Sequence, residues 1–131
     1  MDRLERILYV EDEPDIRAVA RLALETVGGF TILECASGEE ALAGAEAFGP
    51  QLMLLDVMMP VMDGPTTLAA LRERPSLVEV PAVFMTAKVQ PNEVDRYRRL
   101  GAVGVIPKPF DPMRLADQIR EIWAEATRAE G

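Results

Sequence analysis

The chain has 131 residues, with 14 basic against 22 acidic side chains, a net charge of −8, no histidine and one cysteine. That length fits one domain, and 49% hydrophobic residues suffice for a core at this size. Lack of histidine excludes a Ser/His/Asp triad, a histidine-bearing zinc site and a phosphohistidine role; the acidic balance argues against a nucleic-acid partner, and no apolar run approaches the ~20 residues that span a bilayer.

The first element is an apolar run, Ile7 to Val10, read as a strand and followed by Glu11, Asp12 and Glu13. Pro14, at a first-turn position, then opens a helix with Ile16, Val19, Ala23 and Val27 on its apolar side, closed by Gly28 and Gly29. A second strand, Phe30 to Leu33, ends blandly in Cys35, Ala36 and Ser37, and the helix after it carries Ala41, Leu42 and Ala45 before Gly49 and Pro50. The third strand, Leu52 to Leu55, runs into Asp56, and Pro65 starts a helix bearing Leu68 and Leu71. Ala82 to Met85 is the fourth strand, followed by Thr86, and a helix from Pro91 carries Val94 and Tyr97 and stops at Gly101. The fifth strand, Val103 to Ile106, leads to Lys108. Pro112 then announces a last helix with Leu115, Ile119, Ile122 and Ala126 on one side. Strict alternation of this kind predicts a doubly wound α/β domain, and continuously apolar strands suit a parallel sheet buried on both faces. Cys35 cannot form an internal disulfide and reads as a small buried residue of a cytoplasmic protein.

In such a sheet a site forms beyond the carboxyl ends of the strands. Four of the five strands deliver a polar side chain there: Glu11 and Asp12, Asp56, Thr86 and Lys108. The second does not, as expected of an edge strand whose end lies away from the site. Taken singly, Asp12 could cap a helix, Thr86 could end a strand and Lys108 could be a solvated amine. Asp56 is harder to dismiss, because it is the only charge from Leu52 to Met62 and its desolvation is costly. Two like charges ~4 Å apart repel by about 4 kcal/mol at an effective dielectric of 20, so three converging acids need a cation. Three carboxylates and one ammonium leave −2, which a divalent ion neutralises. Magnesium fits best, with manganese as a substitute. Metal, carboxylate, lysine and hydroxyl together are equipped for phosphoryl transfer to an aspartate nucleophile.

The motifs Tyr9-Val-Glu-Asp-Glu13, Leu54-Leu-Asp-Val-Met-Met-Pro-Val-Met-Asp-Gly64, Met85-Thr-Ala87, Gly101-Ala102 and Lys108-Pro-Phe110 resemble the receiver domain of two-component response regulators, chemotaxis regulators included. The resemblance implies a flavodoxin-like five-stranded parallel sheet of order 2-1-3-4-5 with five flanking helices. It implies that Asp56 accepts a phosphoryl group from a histidine kinase or histidine phosphotransfer protein. Glu11, Asp12, Asp56 and the Met58 carbonyl would hold Mg2+. Lys108 and Thr86 would bind the phosphoryl oxygens, small Ala87 would leave them room, and the Lys108–Pro109 bond would be cis. A receiver over residues 5–126 with a short 127–131 tail and no output domain is expected. It would act as a monomer or phosphorylation-dependent dimer on a downstream protein, with neither nucleic acid nor membrane as partner. Two positions depart from the common pattern. Val105 stands where a Tyr or Phe often switches rotamer, and Pro107 is unusual so close to the lysine. Met58 and Lys88 occupy positions similar to family sites that tune phosphoryl lifetime.

A metal-dependent phosphatase with an aspartyl nucleophile is the enzymatic alternative, although such enzymes place a second Asp where this chain has Met58. A phosphate-independent pseudo-receiver is the other, and retention of Asp56, Thr86 and Lys108 speaks against it.

Overall fold

Five parallel strands in the order β2-β1-β3-β4-β5 form one sheet in the computed structural model, which describes residues 3–130. The elements are β1 (Arg6–Val10), α1 (Pro14–Arg21), β2 (Thr31–Cys35), α2 (Gly38–Phe48), β3 (Leu52–Asp56), α3 (Gly64–Leu71), β4 (Ala82–Thr86), α4 (Pro91–Arg99), β5 (Gly104–Pro107) and α5 (Leu115–Glu130). The expected doubly wound order is the observed one.

Every residue of β3 and β4 is buried, which explains why those runs are apolar without alternation. Successive side chains still point to opposite faces, so each strand feeds two core layers. Leu8, Met53, Leu55 and Phe84 pack with Ala41 of α2, Leu68 of α3 and Tyr97 of α4. Ile7, Leu54, Val83 and Met85 pack with Leu24 after α1 and with Leu115 and Ile119 of α5.

The buried face of the first helix differs from expectation. Ala23 is buried as expected, but beside it Ala20 and Leu24 face the core, whereas Val19 is 43% and Val27 47% exposed. For Val27 the cause is a π-helical turn over Leu22–Val27, in which the Gly28 amide bonds to the carbonyl of Ala23 five residues back and takes the segment off the 3.6-residue period; Val19 precedes that turn, in α1. Pro112 does not open α5. It lies in the preceding turn, where the Leu115 amide already bonds to the Asp111 carbonyl. α5 also continues through the segment expected as a tail as far as Glu130, while Gly131 lies outside the described residues. Trp123 is directed inward, its indole N–H donating to the Gln51 carbonyl at 3.2 Å. Pro107 ends the edge strand β5, where a missing donor is tolerated. Among the described residues no helix is long and apolar enough to cross a membrane.

Candidate functional site

Register brings the strand ends level. Val10 is paired with Leu55, Asp56 with Met85 and Thr86 with Pro107, so Glu11, Asp56, Thr86 and Lys108 emerge side by side from β1, β3, β4 and β5. β2 lies at the edge beyond β1 and, among the described residues, lines no part of the cleft, but its Cys35 carbonyl accepts from the Glu11 amide at 3.0 Å.

Glu11 is fully buried and Asp56 3% exposed. Lys108 bridges them, its Nζ donating to Asp56 Oδ1 at 2.8 Å and to Glu11 Oε1 at 3.0 Å. The other Glu11 oxygen accepts from the Glu13 amide at 3.1 Å. Asp12 completes the cluster: carboxylate oxygens of Glu11, Asp12 and Asp56 lie within 4.8 Å of one another, an arrangement that could hold a metal ion. Asp12 is not the helix cap that its position before Pro14 allowed, because Glu13 occupies the cap position of α1 and makes no side-chain cap bond. Buried Thr86 points its hydroxyl at the Lys88 amide, accepting at 3.0 Å. Met58, Ala87 and Lys88 line the same cleft of about 260 Å3 as these groups, and the Lys108–Pro109 bond is cis.

Residues 7–120 match the family model of the response regulator receiver domain. The chain belongs to that family. It is 34% identical to the "Probable transcriptional regulator ycf27" of Porphyridium aerugineum over 95% of its own length and 50% of that protein's. With the response regulator Rre1 of Synechocystis it shares 33% identity over 90% of its length and 51% of the relative's. The chain thus spans about half the length of these curated relatives. Among solved structures, the chemotaxis protein CheY4 of Vibrio cholerae superposes with a TM-score of 0.84 at 28% identity, covering 92% of this chain and 99% of the other.

Electrostatics of this receiver domain follow from burial. The carboxyl groups of Asp56 and Glu11 are both pushed above their ordinary range by desolvation, which the hydrogen bonds from Lys108, and for Glu11 from the Glu13 amide, only partly oppose. Burial also works against the charged form of Lys108, but its bonds to Asp56 and Glu11 outweigh that and raise its amine above the usual value. One ammonium against three clustered carboxylates leaves the cleft short of positive charge.

Two supporting residues escaped the sequence reading. Arg17 of α1 donates to the Glu11 carbonyl at 2.8 Å and to Glu34 Oε1 at 2.9 Å, fixing the turn that presents Glu11 and Asp12. Its sequence signal is Glu34, a lone charge inside β2 that needs a cation. Gly64 packs so closely under the loop after β3 that a Cβ there would collide with the Asp56 carbonyl, and its amide bonds to the Val57 carbonyl at 2.9 Å. The motif contained this glycine without revealing what crowds it.

Proposed function

We propose that Asp56 is the phosphoacceptor of a two-component relay. A carboxylate oxygen of Asp56 attacks the phosphorus of a phosphohistidine; the O–P bond forms as the P–N bond breaks, and the departing imidazole nitrogen takes up a proton. The donor histidine, of a histidine kinase or histidine phosphotransfer protein, lies outside these 131 residues, which contain none. The observation that carries the reading is the convergence of Glu11, Asp12 and Asp56 at the carboxyl end of the sheet, where Lys108 bridges Glu11 and Asp56.

The donor set is all hard oxygen with a residual charge near −2, which fits Mg2+ and, as a substitute, Mn2+. Glu11, Asp12, Asp56 and the Met58 carbonyl would hold the ion, which when bound polarises phosphoryl oxygens and neutralises the acids. Lys108 would exchange its bond to the Asp56 carboxylate for one to a phosphoryl oxygen, and Ala87 leaves room for the group to enter. Thr86 would turn its hydroxyl toward a second phosphoryl oxygen. Two charge-assisted bonds at about 1.5 to 3 kcal/mol each approach the roughly 5.5 kcal/mol that inverts a 1:99 equilibrium.

Turning Thr86 removes the acceptor of the Lys88 amide, so loop 87–90 must rearrange. That loop, rather than a ring, transmits the change. Val105 has no aromatic side chain to flip, and Tyr97 is already packed edge-to-face on Phe84 with ring centroids 5.6 Å apart. The result is an altered face offered to a downstream protein, or a phosphoryl group ready to pass on. The phosphatase alternative lacks its proton donor: the corresponding position is Met58, 64% exposed and without a titratable group.

Incubation with Mg2+ and acetyl phosphate, followed by mass analysis of the intact protein and its peptides, tests the assignment. A single phosphoryl adduct on the Asp56 peptide, absent in Asp56→Asn, is expected. Undiminished labelling of that variant, or steady turnover of phosphomonoesters, would overturn it.

A further inference from the structure

A groove of about 560 Å3 runs between loop 57–63 with the start of α3 and helix α4, beside the acidic cleft rather than within it. Its floor and walls are Met58, Pro60, Pro65 and Tyr97, and its rim carries Lys88 and Arg96. Two acids also line it, but both are committed to helix ends. Asp63 Oδ1 accepts from the Thr66 amide at 2.8 Å to cap α3, and Glu93 Oε1 accepts from the Gln90 amide at 3.1 Å in the capping box of α4. Among the described residues, neither Lys88 nor Arg96 forms an ion pair or a side-chain hydrogen bond. In a chain of net charge −8 the lining, with two cations against two carboxylates, is locally neutral, and its cations rather than its acids are left without a side-chain hydrogen bond among the described residues. Met58, in the lining, is 64% exposed, and the loops that border the groove also expose Val61 (94%) and Val89 (41%).

We propose that this groove docks an acidic segment of a protein partner, one large apolar side chain entering between Pro60, Pro65 and Tyr97 while flanking carboxylates pair with Lys88 and Arg96. Apolar surface gives the affinity, and the two cations select against basic and neutral segments. The groove shares Met58 and Lys88 with the acidic cleft. If Asp56 is the phosphoacceptor, occupancy and phosphorylation are therefore coupled through the Thr86–Lys88 bond, each altering the affinity for the other reciprocally. That coupling rests on the function proposed above; the docking itself does not.

A fluorophore-labelled decapeptide of alternating glutamate and leucine, titrated with unphosphorylated protein and read by anisotropy, tests the docking. One apolar anchor with two ion pairs predicts a Kd of about 100 μM, weakened about fivefold in a Lys88→Gln/Arg96→Gln double variant and unchanged in a distal Arg21→Gln control. Amide shifts should concentrate on residues 57–65 and 88–97. Equal binding of a glutamine–leucine peptide, indifference to the double variant, or shifts centred on α1 and Phe110 would each overturn the proposal. Repeating the titration after acetyl phosphate treatment isolates the coupling. A changed Kd in the wild type but not in Asp56→Asn supports it, and an unchanged Kd in a demonstrably phosphorylated protein refutes the coupling while leaving the docking result standing.

Discussion

Lys108 Nζ lies 2.8 Å from Asp56 Oδ1 although 52 residues separate the two in the chain. The same nitrogen meets Glu11 across 97 residues, so one side chain ties together the first, third and fifth strands. Replacing Lys108 with Met leaves two buried carboxylates without their cation. Breaking a buried pair costs about 3 to 5 kcal/mol, and since Lys108 is 18% exposed the expected loss is about 2 kcal/mol of metal-free stability. Mg2+ should bind the variant more tightly, because an ammonium no longer competes for the same oxygens. Urea unfolding and a metal titration check the two effects, and a variant as stable as the wild type with unchanged Mg2+ affinity would contradict the electrostatic account.

Asp56→Asn should act in the opposite direction. The native carboxyl group sits above its ordinary range, chiefly through burial, so the folded protein binds this proton more tightly than the unfolded one. Its contribution therefore favours folding at low pH and is lost as pH rises from the ordinary carboxylate range through the raised native value. Asparagine removes that loss. At pH 7.5 without metal the variant is expected to be more stable by about 1 kcal/mol, an advantage that shrinks toward pH 4. Saturating Mg2+ should stabilise the wild type and leave the variant nearly unmoved. Urea midpoints at the two pH values, with and without the ion, measure all of this.

How far these relationships could be read from sequence depends on what each residue type encodes. Asp56 announced itself because a charge in an unbroken apolar run is costly, and Glu11, Asp12, Thr86 and Lys108 followed from strand order and the family motifs. Side-chain direction was less accessible. Val27 fits a regular helical face, but nothing in LALETV marks the π turn that swings it outward. The Thr86–Lys88 bond likewise depends on a local loop geometry that periodicity does not describe.

Glycine substitutions separate crowding from flexibility. A Cβ at Gly64 would run into the Asp56 carbonyl and the Val57 backbone, neither of which can move without displacing Asp56. Gly64→Ala is expected to lose about 2 to 3 kcal/mol and most acetyl phosphate labelling. Gly44, in the middle of α2, meets only the tip of Leu33, so Gly44→Ala should be near neutral, helix propensity offsetting a small adjustment. Thermal unfolding and labelling of the pair distinguish the cases; a well-folded, fully labelled Gly64→Ala would show that the loop has slack the structure denies.

Cys35 offers a probe of the same strand ends. Its thiol is 3% exposed, and burial, reinforced by Glu40 and Glu34, pushes it up to about 11 from 9.0. A proton held more tightly in the native state means that stability is fully present below pH 9.0 and declines as pH rises from there through about 11. At pH 8 the native thiolate fraction is about a thousandth, so iodoacetamide should modify folded protein at least about a hundredfold more slowly than protein in urea. Because the Cys35 carbonyl holds the Glu11 amide, opening of this corner would expose the thiol and the Glu11 carboxylate together. Mg2+ should therefore slow alkylation further if it binds Glu11. Mass spectrometric rates in the presence and absence of the ion decide the point, and a thiol that reacts as fast in the native state as in urea would mean that the end of β2 is open.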